Sequence, residues 1–431
     1  MSSSSKVKVY YHPKQNAWFI KKHQRSKEES TYSWGANHAP IQKLFVPKLP
    51  DSQPSFSINT VKSRESRKKG YLVPLIGIMA AKGNNAPFTG NRRNFIDLIG
   101  TGKRNGAILY VFTPDQIDWE NEQIRGWFYN FSVKGWQEAL FPFPNVIYNR
   151  ISTREQESSS DAQQAISRFQ AYGKRLTLFN PHFFNKQDTF QLLKSSRELS
   201  SFLPDTQILQ TKQDLVQMLR KHQTIYLKPT KGKAGKGILR IIIQPNERNF
   251  LFTSQLSNQI ISMTVTSVEK LWRLYQKYRI SSPYIAQQGI ELETIQDQPF
   301  DFRVLVQKNK TGQWEVTGVG TRVAGKNRIT THVPQGGRIE NSNSVLEALY
   351  PNQAPLILAN IHQLALAIAK ILEANYHVLG EMSMDIGLDK KKRLWFFEAN
   401  SKPMKFDEPT IRTKSLNNLI DYSKHLTFNH S

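Results

Sequence analysis

Two apolar runs near the C-terminus, Met382–Leu388 and Leu394–Ala399, are separated only by Asp389-Lys390-Lys391-Lys392-Arg393. Each is short enough for a buried strand, and the polar segment between them predicts an antiparallel hairpin. If the turn closes between Leu388 and Leu394, Asp385 comes close to Glu398. Glu398 and Asn400 are two apart, so both project from one face of their strand. Three hard oxygen ligands thus converge at the hairpin's mouth. Oxygen-only sites with few protein ligands suit Mg²⁺, which keeps waters and takes further ligands from nucleotide phosphates. Read alone, the triplet fits an ordinary exposed hairpin end equally well.

A second feature lies well upstream. Tyr226-Leu227-Lys228-Pro229-Thr230 reads as a strand running into Lys231-Gly232-Lys233-Ala234-Gly235-Lys236-Gly237. Glycines in such a loop let backbone N–H groups approach phosphate oxygens without a Cβ in the way. Lys228 can neutralise phosphate charge from a rigid base. The loop is not a Walker A motif: no Gly-Lys-Ser/Thr follows, and Ile238 opens a strand instead of a helix. A flexible basic turn is the bland reading, and the carboxylate hairpin downstream weakens it.

The rest of the chain divides around these features. Residues 1–70 predict a small β-rich unit, with strands in Lys6–Ile20 and Ile41–Val46 and a polar, Ser-rich linker from Pro50 to Gly70. Residues 71–178 alternate strand and helix: a buried strand within Leu72–Met79, a helix near Asn94–Ile99, strands at Ala107–Phe112 and Asn145–Tyr148, and a helix at Ala162–Tyr172. That alternation indicates an α/β unit with a largely parallel sheet. Residues 179–431 form a third unit. It has a helix at Phe190–Leu199 and strands at Ile225–Pro229, Ile238–Ile243, Pro283–Ile290 and Phe302–Val306. A long amphipathic helix, Leu356–Asn375, precedes the closing hairpin, with Leu356, Ile357, Ile361, Leu364, Ile368 and Ile371 near one face.

Composition limits the options. Of 431 residues, 39% are hydrophobic, and 24 Phe, 15 Tyr and 8 Trp are enough for packed cores. There is no cysteine, which excludes disulfides and thiolate zinc sites. No apolar run approaches the ~18 residues of a membrane helix, and the N-terminus lacks a signal peptide's apolar core. The expectation is a cytoplasmic protein with no transmembrane segment. Net charge is +25, and residues 1–69 hold 14 Lys and Arg against 4 Asp and Glu. Such a block is either a solvated face or a contact for a polyanion.

The run Lys228 through Ile238, followed by Asp385 with Glu398 and Asn400 at 13 and 15 residues beyond it, resembles the ATP-grasp pattern. That superfamily includes D-alanine–D-alanine ligase, glutathione synthetase and the ribosomal-protein glutamate ligases. A closer resemblance, from Tyr71 onward, is to the YheC/YheD family of spore-coat-associated ATP-grasp proteins. Pro144-Asn145-Val146-Ile147-Tyr148-Asn149-Arg150-Ile151 carries it, with the run from Asn180-Pro181 through Leu203-Pro204-Asp205-Thr206 into Lys228-Pro229. The fold class implied is α/β (α+β): an ATP-grasp fold behind an α/β domain and a small β-rich N-terminal domain.

The resemblance also implies site roles. ATP would meet Lys186, Lys228, Lys231 and the loop glycines Gly232, Gly235 and Gly237. The hinge Gln287-Gln288-Gly289-Ile290-Glu291 would bond adenine, and Glu291 or Glu293 the ribose. Asp385, Glu398 and Asn400 would hold Mg²⁺, two ions in the family pattern, with Mn²⁺ as an alternative. Arg303, in Asp301-Phe302-Arg303, and Arg322 would stand near the γ-phosphate or the acceptor carboxylate. Two departures concern the acceptor: His332 stands where Asn is usual, and Ser383 where D-alanine–D-alanine ligase has Arg. The implied function is a ligase that activates a carboxylate as an acyl phosphate for attack by an amine, with a place in the spore coat. Two other classes remain: a non-catalytic coat protein of this fold, touching coat proteins through its basic N-terminal region, and a polyanion-binding protein regulated by ATP.

Overall fold

The computed structural model describes residues 6–21, 31–44, 53–62, 69–230, 236–244, 249–256, 259–326, 328–331 and 336–428. Six short strands, from Lys6–His12 to Lys69–Leu72, close into a barrel. Its strand Ser55–Lys62 falls where sequence predicts a linker. Phe56 and Ile58 alternate inward there, and Ser, Asn and Thr between them mask the period of two. Inside the barrel Trp18 packs against Trp34 and Phe56, and also against Phe128 and Phe141 of the next sheet. At about 1.5–3 kcal/mol for each large apolar side chain removed from water, these rings tie barrel and sheet into one core.

The apolar run read as one strand within Leu72–Met79 is divided. Lys69–Leu72 ends the barrel, and Leu75–Met79 begins a seven-stranded sheet beyond Pro74, which has no N–H to continue a ladder. Four neighbouring strands, Ile108–Phe112, Leu75–Met79, Val146–Asn149 and Thr177–Phe179, are parallel. An antiparallel hairpin, Gln123–Asn130 with Gly135–Pro142, extends one edge. The helix Arg92–Asn105 begins where the Asn91 side chain accepts the Asn94 N–H at 3.0 Å.

Two antiparallel six-stranded sheets make up the rest. The smaller runs in the order Thr206–Leu209, Tyr284–Gln288, Thr224–Pro229, Leu239–Gln244, Asn249–Leu256, Gln259–Val265. The larger runs Arg338–Asn341, Trp314–Val323, Gln298–Lys308, Glu381–Leu388, Leu394–Asn400, with Thr294–Ile295 paired at its side. Helix Ala354–Tyr376 packs its face of Ile357, Ile361, Leu364, Ile368 and Leu372 into the larger sheet's core. Leu356 is not on that face: it lies about 100° around the helix from Ile357 and is 63% exposed. Among the described residues this helix alone is long and apolar enough, by length and composition, to cross a membrane. Its buried stripe here belongs to a protein core. The final helix, Pro409–Phe428, leaves the larger sheet and puts Leu416, Leu419 and Ile420 into the core of the barrel and first sheet.

Candidate active site

One face of the larger sheet collects the charged residues. Asp301 pairs across strands with Arg322, Arg303 with Asp385, and Asp385 with Glu398. Residues directly opposite in an antiparallel pair share a face, and Asp301 and Arg303 are two apart, so all five point the same way. The closing hairpin reaches this arrangement through a bulge. Leu388 pairs with Leu394 and Ile386 with Phe396, but Asp385 pairs with Glu398, leaving Phe397 as the extra residue. A ladder without the bulge would set Phe397 opposite Asp385. The Phe397 ring lies over Gly387, where a Cβ would stand 2.6 Å from it.

The carboxylates are tightly held. Arg322 donates Nε and Nη2 to Asp301 at 2.8 and 2.7 Å, and its Nη2 also reaches Asp385 at 2.8 Å. Thr331 adds an O–H to Asp301 at 2.6 Å. Burial works against the Arg322 charge, but Asp301 and Asp385 outweigh it and raise its pKa above the ordinary arginine value. Burial raises Asp385 to about 6, with Arg322 pulling it back and Glu398 pushing it further up. Arg303 donates to Ser383 at 3.3 Å, which steadies the guanidinium.

Lysines approach from the other side. The Asn185 side chain accepts the Gln187 N–H at 2.9 Å and starts the helix Lys186–Lys194 earlier than its apolar spacing indicates. Lys186, its first residue, pairs with Glu398 at 2.7 Å. Lys228, on the smaller sheet, donates to Gln287 at 2.5 Å and lies 5.5 Å from the Phe397 ring. Desolvation and the nearby Lys186 lower the Lys228 pKa to about 8, against the pull of Glu398, Asp385 and Asp301.

The structure therefore brings together Lys186, Lys228, Arg303, Arg322, Asp385, Glu398 and Asn400. Gly237 has φ +79°, and its carbonyl accepts the Tyr284 O–H at 2.8 Å. Lys231, Gly232, Gly235 and His332 lie outside the described residues. Gln287 and Gln288 end the strand Tyr284–Gln288, which is paired on both edges. The Gln288 N–H goes to Asp205 and the Gly289 N–H to Thr224, both at 2.8 Å, so two hinge donors are spent within the sheet. Ile290 is half-buried just beyond them. Glu291 is exposed and paired with Lys390 at 2.6 Å, while Glu293 accepts the Tyr350 hydroxyl.

The oxygen set fits a hard cation. Asp385 Oδ1 is buried with no hydrogen-bond partner among the described residues, and Asn400 turns its amide nitrogen to Glu398 at 3.2 Å, leaving the carbonyl as acceptor. Among the described residues no three acidic or imidazole side chains are grouped so as to hold a metal ion by themselves, and the third oxygen of this set is an amide.

Sequence reading missed the polar network that anchors the segment after Asn400. Asn180, fully buried, accepts the Gly380 N–H at 2.7 Å and donates to the Glu381 carbonyl at 2.8 Å. Arg150 donates to the Pro403 carbonyl at 3.0 Å, Ser401 to the His182 carbonyl at 2.7 Å, and Lys402 pairs with Glu157. The strings Asn149-Arg150 and Asn180-Pro181 are the local signal for it. Both strings lie at the ends of first-sheet strands, Val146–Asn149 and Thr177–Phe179, and tie that sheet to the residues beside the site.

The two antiparallel sheets, which meet where Lys228 of one lies beside the Phe397 ring of the other, form an ATP-grasp fold. A family model described as YheC/D-like ATP-grasp matches residues 175–426, and the chain belongs to that family. Among similar proteins, the endospore coat-associated protein YheD of Bacillus subtilis (strain 168) is 29% identical over 348 residues, covering 79% of this chain and 75% of its own. YheC of the same strain is 22% identical over 298 residues, 69% of this chain and 81% of its own. Of solved structures, a D-alanine-D-alanine ligase from Coxiella burnetii aligns with a TM-score of 0.49 at 12% identity, over 83% of this chain and 96% of that one.

Proposed function

We propose that this protein is an ATP-dependent ligase that activates a carboxylate as an acyl phosphate for attack by an amine. The observation that carries the reading is the single sheet face bearing Asp385, Glu398 and Asn400, flanked by Arg303 and Arg322 and faced by Lys186 and Lys228. Asp385, Glu398 and Asn400 would hold Mg²⁺, which when bound offsets the phosphates' charge. The chain's own cations address the central difficulty, bringing an anionic carboxylate against a triphosphate. Lys228 and Lys186 draw the phosphates from the smaller sheet's side. Arg303 and Arg322, fixed by Ser383 and Asp301, present preorganised positive charge where the transferred group and the carboxylate meet. A setting at the spore coat is supported by two relatives, both named endospore coat-associated proteins.

The test is an ADP-release screen over carboxylate and amine libraries, run with wild type and Glu398→Gln. ADP release that needs both a carboxylate and an amine, reduced at least ~100-fold in the variant, is the expected result. A wild type that binds no ATP would sink the ligase reading. Unchanged turnover in Glu398→Gln would sink the metal assignment.

A further inference from the structure

We infer that Glu408 is the recognition group for the amine substrate, which is therefore a primary amine presented as an ammonium cation; this rests on the ligase reading above. The Glu408 backbone has a structural task, its carbonyl accepting the Arg412 N–H at 2.8 Å at the head of the last helix. Its side chain has none. Both carboxylate oxygens are closed off from solvent and have no hydrogen-bond partner among the described residues. An unpaired buried carboxylate is costly, and a folded protein keeps one where something else completes it. The seat is shaped for the group: Oε1 lies against Gly320, where a Cβ would come within 2.5 Å. Any larger residue at 320 would push the carboxylate out.

The carboxylate lines a small cavity with Arg303, Arg322, Lys405, Ile339 and Phe406. Arg322 also holds Asp385 at 2.8 Å, so the cavity adjoins the carboxylates of the candidate metal site. The cations around it face other acids: Arg322 is paired with Asp301 and Asp385, Lys405 with Asp407 at 3.1 Å, and Arg303 stands across the strand from Asp385 while donating to Ser383. Glu408 is the one acid among the described residues lining the cavity, and it is left for a cationic ligand. Ile339 and Phe406 give apolar flanks suited to an alkyl stem. In the reaction the amine lone pair forms the C–N bond and the acyl C–O bond to phosphate breaks with its electrons leaving on phosphate. Of the two protons the ammonium loses, one goes to the phosphate and one to solvent.

The experiment uses the full chain saturated with Mg·AMP-PNP and measures binding of n-butylamine, cadaverine and the neutral isostere n-butanol by ligand-observed NMR. Both amines should bind wild type, bind Glu408→Gln at least tenfold more weakly, and recover in part with Glu408→Asp; n-butanol should not bind. The AMP-PNP affinity of each variant is the fold control. Equal amine binding by wild type and Glu408→Gln, or no amine binding by nucleotide-loaded wild type, would overturn the assignment. Failure of wild type to bind AMP-PNP would instead overturn the ligase reading beneath it.

Discussion

The two sheets that face the candidate site are built on different terms. On the larger sheet nearly every charge is cross-braced: Arg322 spans Asp301 and Asp385, Thr331 closes on Asp301, and Ser383 steadies Arg303. On the smaller sheet Lys228 rests on Gln287 and lies beside the Phe397 ring that crosses from the other side. The difference teaches a division of labour. One sheet holds a fixed pattern of charge, and the other brings a cation to it.

The contrast can be broken by mutation. Arg322→Met should cost the most, because it leaves Asp301 and Asp385 buried and facing each other with no cation between them. Urea unfolding should show a loss of about 3–5 kcal/mol, and a loss under ~1 kcal/mol would mean the bracing is not structural. Gly387→Ala should come next, since the new methyl meets the Phe397 ring and forces the bulge to shift. Overpacking of this kind costs about 1–3 kcal/mol, and a crystal structure should show Phe397 displaced; an unmoved ring contradicts the packing argument. Lys228→Met should leave stability nearly unchanged, because it removes a charge that desolvation already disfavours. It should weaken ATP binding about tenfold, or ~1.4 kcal/mol by calorimetry. A large stability loss instead would make the two sheets alike.

The smallest effect belongs to the hairpin turn. Burial pushes the Asp389 pKa up, but hydrogen bonds from Trp395, Arg393 and backbone N–H groups outweigh it and hold the carboxylate below its usual range. A depressed carboxylate contributes stability that is present above the unfolded value, ~3.9, and is lost as pH falls through the folded one. Wild type should exceed Asp389→Asn by about 1 kcal/mol at pH 6, and the gap should narrow toward pH 3. A gap constant with pH would remove the electrostatic cause.

Much of this was legible in the chain, and what was not has identifiable reasons. The hairpin and the shared face of Glu398 and Asn400 follow from strand periodicity. The bulged Phe397 does not, because one extra residue leaves no trace in a pattern of apolar positions. Strand Ser55–Lys62 was hidden by its polar residues, of which Asn59 and Thr60 are themselves buried. The hairpin Gln123–Pro142 was missed within a region whose alternation pointed to parallel strands. Lys186 meeting Glu398, Asn180 holding Glu381 and Glu408 seated on Gly320 are all long-range contacts. Each depends on how separate sheets dock, and no local spacing encodes it.

The central claim is that the Asp385 face and the Lys228 side together make one Mg²⁺-dependent nucleotide site. Calorimetric titration of ATP into wild type and Glu398→Gln, with and without Mg²⁺, tests it most directly. Wild type should bind ATP and gain affinity when Mg²⁺ is added, while Glu398→Gln should lose that gain. No binding by wild type, or the same Mg²⁺ dependence in both proteins, would contradict it.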